Sequence, residues 1–148
     1  MRLGTADGIM EPFNRNGGNP DVNFNFVCKI DRELYRVVSG DIQTDDVIIT
    51  AQQIAHIEEG HPGAYVQFMQ YLPRVLCDPD FILRGNKPHT ALVIKQIVEE
   101  DAITEVVLRL KVSSDLAAYR NSIITLWHIS PKRFHRLLRQ SEILYKKE

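Results

Sequence analysis

The sequence predicts an α+β fold: an N-terminal β-hairpin and helices packed on a four-stranded antiparallel sheet, with a C-terminal helix. Three observations predict it. Four strand-like apolar segments joined by short polar connections lie between residues 81 and 128. Apolar residues recur at three- and four-residue steps between residues 54 and 76, and a Ser-Pro pair opens a last amphipathic run at residue 130. Period two marks strands and period 3.6 marks helices.

In chain order, residues 1–23 are rich in Gly, Asn and Pro without periodicity, which predicts a flexible lead-in; residues 24–148 form the single domain. FNFVCKI (24–30) and LYRVV (34–38) flank Asp31-Arg32-Glu33 and read as the hairpin. Thr50 and Gln53 have capping-box spacing, Ile54 and Ile57 supply an apolar stripe, and Gly60-His61-Pro62 is a stop signal, so a helix is expected over 51–59. Tyr65, Phe68, Met69, Leu72, Val75 and Leu76 predict a second helix over 63–77, kinked at Pro73. FILR, TALVIKQIV, TEVVLRLKV and SIITLWH are the four strands of a meander. Ser130 as N-cap, Pro131 at the first helical position and the apolar Phe134, Leu137 and Leu138 define the last helix.

The totals bound the function. With 148 residues, 44% of them hydrophobic, the chain suffices for one core and not for two ordinary domains. No apolar run reaches the roughly 18 to 20 residues of a membrane span, and the N-terminus lacks a signal-peptide pattern, so a cytoplasmic protein with no membrane partner is expected. Cys28 and Cys77, far apart in sequence among apolar neighbours, read as small buried residues without a disulfide. The net charge of -1 conceals an asymmetry: from Arg109 onward there are nine basic and three acidic residues, against nine and sixteen before it. That is a candidate surface for a polyanion, or simply a basic helix complementing its own dipole.

HIEEGHP (56–62) concentrates the possible chemistry. His56 and His61, five residues apart, would stand about 140° apart on a helix and do not fit the HExxH pattern, so no metal or other cofactor is expected. His61, at a helix exit set by Gly60 and Pro62, suits either acid/base work in a cleft or a cationic cap on the helix end. His56, inside the helix, reads as a packing or hydrogen-bonded histidine, and Glu58 and Glu59 as a solvated face. Among the strands, Lys95 interrupts an apolar run, and Arg109 and Lys111 alternate onto one face with Val107. Together with Lys87, His89, Ser122 and Thr125 they would bind a phosphodiester, or be the ordinary polar side of an antiparallel sheet. Trp127 and Tyr119 would stack on bases or pack in the core.

The succession VIITAQQIAHIEEGHP, LCDPDFIL, NKPHTALVIKQI, VVLRLKV and NSIITLWHISPKRFHRLLRQ resembles the phage-associated nucleases of the barnase, EndoU, colicin and RelE superfamily. The resemblance spans about residues 24–145 and rests on the order and spacing of short motifs. It implies a metal-independent endoribonuclease that acts on RNA by 2'-hydroxyl attack, in a groove between N-terminal helices and the sheet. It implies His61 as general acid or base with His56 as the second candidate, Lys95 on the phosphate, and Thr125 orienting the phosphate or ribose. Lys87, His89, Arg109, Lys111 and Ser122 remain substrate-binding candidates. Two alternatives use the same surfaces: an inactive RNA-binding domain, and an interaction piece of a larger phage or mobile-element protein whose partner would be an immunity or phage protein.

Overall fold

The computed structural model describes residues 23–148, so the lead-in expected over 1–23 lies, but for Asn23, outside the described residues. The elements are β1 (Phe24–Lys29), α1 (Arg32–Tyr35), β2 (Asp46–Thr50), α2 (Ala51–Gly60), α3 (Ala64–Met69), α4 (Leu72–Cys77), β3 (Phe81–Arg84), β4 (Thr90–Ile97), β5 (Ala102–Arg109), β6 (Asn121–Ile129), α5 (Pro131–Gln140) and β7 (Ile143–Lys146). The class is α+β as expected, but the sheet has seven strands, in the order β1-β2-β6-β5-β4-β3-β7, and is mixed. The predicted meander β3-β4-β5-β6 forms its antiparallel centre. β2 joins it in parallel to β6, β1 pairs antiparallel with β2, and β7 adds to β3.

The N-terminal hairpin is corrected. Asp31 accepts a hydrogen bond from the Glu33 amide at 2.9 Å and caps a helical turn where the second strand was expected. Leu34, Tyr35 and Val38 pack inward at helical rather than alternating spacing. Tyr35 is completely buried, and its hydroxyl donates to the Leu76 carbonyl at 2.6 Å. The partner of β1 is instead Asp46–Thr50, five residues too few to announce themselves beside the capping signal that ends them.

The predicted 63–77 helix is two helices. Tyr71 leaves the helical region (φ −133°, ψ 1°) and Pro73 sits in the first turn of α4, where its missing amide costs nothing, so it starts a helix rather than kinking one. The capping box on α2 forms as predicted, with Gln53 amide to Thr50 Oγ1 at 3.2 Å and Thr50 amide to Gln53 Oε1 at 3.3 Å. Ser130 caps α5 with Pro131 in its first turn.

The main core lies between α1–α4 and one sheet face, where Ile57, Phe68, Leu72, Val75 and Leu76 meet Ile82, Val93, Val106, Leu108, Ile123 and Leu126. Strand alternation turns Phe81, Glu105 and Trp127 to the opposite face, and these contact α5: Phe81 meets Phe134 at a ring-centroid distance of 5.6 Å, and Glu105 pairs with Arg133. The helices therefore cover both faces, not one. The cysteines are also corrected: Cys77 is exposed, and its thiol lies against that of Cys28. Burial first, and that neighbouring thiol second, push the Cys28 pKa up to about 12. Among the described residues no helix is long and apolar enough to cross a membrane.

Candidate nuclease site

Two features of β6 create the site. β2 pairs with it only at Asn121 and Ser122, so from Ile123 onward the outer edge of β6 has no strand beside it among the described residues. The register with β5 also slips between Val107↔Thr125 and Leu108↔Ile123, leaving Ile124 as an extra residue. This bulge lets Ile123 and Leu126, three apart, both face the core, and it offsets Thr125 from regular alternation. α2 packs beside this free edge.

A cleft of about 390 Å³ opens there, lined by His56 and His61 from α2 and its exit, Phe68 from α3, and Thr125, Trp127 and His128 from β6. His56 and His61 are exposed. The 140° separation on a helix does not apply, because the chain leaves the helix at His61 (φ −146°, ψ 90°) and both imidazoles reach one cleft. The His61 backbone amide closes α2 on the Ile57 carbonyl at 3.1 Å, while its side chain makes no hydrogen bond or ion pair among the described residues. A side-chain cap on the helix end is thus not what holds it.

Glu58 is more than a solvated face. Its carboxylate accepts from the Gly63 and Tyr65 amides, both at 2.8 Å, clamping the His61-Pro62-Gly63 turn and capping α3. The Gly63 amide first, then that of Tyr65, hold its pKa below the usual carboxylate value. Gly63 has φ 85°, a left-handed conformation that favours glycine.

His128 was not singled out in the sequence, yet it lines the cleft and, like His56 and His61, is exposed. Its Nε2 lies 3.0 Å from the Tyr71 hydroxyl and its Nδ1 3.3 Å from Thr104 Oγ1. Its ring packs 4.8 Å from that of Phe68. Desolvation by this packing lowers its pKa, more than the charge of Glu100 raises it. The signal for it was period two: it follows the core-facing Leu126 by two residues.

Beyond Trp127 and Ile124 a second depression, of about 700 Å³, lies between the sheet and α5. Lys87, Arg109, Arg133 and Arg136 line it with Leu92, Val107 and Leu137. Glu105, 1% exposed, accepts from Trp127 Nε1 at 2.9 Å and from Arg133 Nε at 3.2 Å. Arg109 is held by Asp115 through contacts of 3.0 and 3.2 Å. Thus Thr125 joins the histidines, and Lys87 and Arg109 meet in the adjoining depression. The other candidates lie elsewhere. Lys95 is buried and donates to the Asp78 carbonyl at 2.7 Å. Lys111 is 9% exposed, and Ser122 is completely buried. His89 takes a left-handed turn (φ 57°) near Asp41. Among the described residues no three His, Cys, Asp or Glu side chains are gathered to hold a metal.

A family model, described as phage-Barnase-EndoU-ColicinE5/D-RelE like nuclease2, matches residues 26–146. The chain belongs to this nuclease family. No curated protein and no solved structure matches. Membership of a phage Barnase-EndoU-ColicinE5/D-RelE like nuclease family makes a nucleic acid the substrate class, and along the β6 edge a cleft lined by three histidines adjoins a depression lined by cations.

Proposed function

We propose that the chain is an endoribonuclease that needs no metal and uses His61 as a general acid or base, with His56 or His128 completing the pair. The observation that carries this reading is the convergence of the three histidines and Thr125 on one cleft beside a cationic depression. Cleavage by 2'-hydroxyl attack needs one group to take the hydroxyl proton and another to protonate the departing 5'-oxygen. Two imidazoles can do this near neutrality, one neutral and one charged.

His128 is suited to the neutral role, because desolvation disfavours its charged form. His61 and His56, exposed at the rim, are suited to exchange protons with solvent between turnovers. Thr125 would orient the phosphate or hydrogen-bond the ribose. Charge developing on the phosphate would be steadied by a guanidinium from α5, Arg133 or Arg136, not by Lys95, whose ammonium is occupied by Asp78.

The test is incubation of the purified chain with total RNA in excess EDTA, followed by mapping of the ends. The expected products carry 2',3'-cyclic phosphates and 5'-hydroxyls. Activity abolished by EDTA and restored by a divalent metal overturns the metal-free mechanism. Salt-sensitive binding without any products favours an RNA-binding domain instead.

A further inference from the structure

Trp127 is the only tryptophan in the chain, and at 37% exposure it is also one of the large apolar side chains left open to solvent. Strand position would ordinarily place it in a core. Instead its indole N–H is fixed by the buried Glu105, and the Arg133 guanidinium lies 5.9 Å from its ring centroid. Glu105 thereby holds both an aromatic ring and a cation in set positions. The ring borders both the histidine cleft and the α5-side depression.

The cations of that depression are not equivalent. Arg109 and Arg133 are each engaged with a carboxylate, whereas Arg136, one turn of α5 beyond Arg133, is exposed and makes no hydrogen bond, ion pair or ring contact among the described residues. An anchored aromatic face beside an uncommitted guanidinium matches the two recurring units of a single-stranded nucleic acid, the base and the phosphate. A duplex, whose bases are already stacked, offers only the phosphates.

We propose that the α5-side depression is a nucleotide subsite in which Trp127 stacks on an unpaired base next to the bond in the histidine cleft and Arg136 takes the adjoining phosphate. The subsite makes the protein selective for single strands. Glu105 is a positioning residue for Trp127 and Arg133. The ligand class rests on the nuclease reading; the stacking geometry does not.

The single tryptophan makes the test direct, because base stacking quenches its emission. The parent protein is titrated with a single-stranded oligodeoxynucleotide, which lacks the 2'-hydroxyl and survives the measurement. Binding is followed in parallel by anisotropy of a labelled strand. Quenching should saturate together with binding, while a duplex of the same sequence leaves the emission unchanged. An abasic strand of equal length should bind roughly 5- to 150-fold more weakly, the range for one lost stack. Trp127→Ala should weaken binding by a similar factor, and Trp127→Phe should retain most of it. Arg136→Ala should lower the salt slope of binding by roughly one.

Binding with unchanged emission, equal affinity for the abasic strand, or no binding at all overturns the subsite. Quenching without any RNA cleavage leaves the subsite standing and removes the nuclease reading. Cleavage without quenching does the reverse.

Discussion

The cleft under α2 and the depression under α5 adjoin across the same free edge of β6, and they hold their polar side chains in opposite ways. Under α2, the His56 and His61 side chains have no hydrogen-bond or ion-pair partner among the described residues, and the order lies in the backbone that presents them: the capping box on α2, the Glu58 clamp and the left-handed Gly63. Under α5, the side chains themselves are tied, Trp127 and Arg133 to Glu105 and Arg109 to Asp115. The contrast suits two tasks. A group that gives and takes protons must be free at the moment of reaction, whereas a group that recognises shape is better held in advance.

The strongest way to break this comparison is His61→Ala. If the cleft under α2 performs the chemistry, cleavage should fall by roughly 100- to 10,000-fold with little change in stability or RNA affinity. Single-turnover rates on a labelled RNA, with a urea melt of the same sample, measure both. A folded variant that cleaves at near the parent rate transfers the role to His56 and His128.

Next in size is the clamp. Glu58→Gln keeps the side-chain volume but weakens both hydrogen bonds to the turn that carries His61, so the turnover rate should drop, by up to about 100-fold if His61 shifts by an ångström. The same substitution has a pH signature. The folded pKa of Glu58 lies below its ordinary value of 4.5, so its contribution to stability is present above about pH 4.5 and is lost as pH falls through the folded value. Unfolding midpoints between pH 3 and 6 should show a shallower acid decline in Glu58→Gln than in the parent. Parallel curves would mean that the clamp carries no charge-dependent stabilisation.

On the other side of β6 the loss should be one of stability. The Arg109 and Asp115 side chains are only 15% and 17% exposed, so Arg109→Ala leaves a largely buried carboxylate without its charge partner. About 1.5 to 3 kcal/mol of folding stability should be lost, with cleavage by the folded fraction nearly intact. Urea denaturation and an activity assay normalised to folded protein separate the two. A large fall in RNA affinity at unchanged stability would move Arg109 into the contact surface.

How far the sequence exposed these regions depends on whether the signal is local. Helix caps are local, and Thr50-Gln53 placed α2 to within a residue while Ser130-Pro131 placed the start of α5. The central meander was legible because β4, β5 and β6 are apolar-rich runs of eight or nine residues, with β3 read beside them. β2 and β7, five and four residues long, have no such runs, and their places are set by the distant partners β6 and β3. Of the site, His61 and Thr125 stood out through a turn signal and a strand motif. Lys95 stood out for the wrong reason: a lysine inside an apolar strand marked a buried ammonium paired with Asp78 at the end of α4. Glu105 was visible in TEVVLRLKV on the same alternation as Val107 and Arg109, but its meaning came only from Trp127 and Arg133, 22 and 28 residues away.

The smallest expected effect concerns His128, which faces the cleft yet is tied like the residues of the other side. Burial against Phe68 and Tyr71 lowers its folded pKa below the ordinary 6.5. The unfolded chain therefore binds more protons than the folded one between the folded pKa and about 6.5, and stability rises with pH across that window. Below the window the neutral imidazole no longer helps the fold. Because the residue is exposed, the slope is shallow. His128→Gln, which can still hydrogen-bond Tyr71 and Thr104, should flatten it, and urea midpoints from pH 5 to 7.5 would show this. If His128 is also the neutral partner of His61, the acid limb of the pH–rate profile should disappear in the same variant. A flattened stability slope with an unaltered acid limb would leave His128 as wall and give the base role to His56.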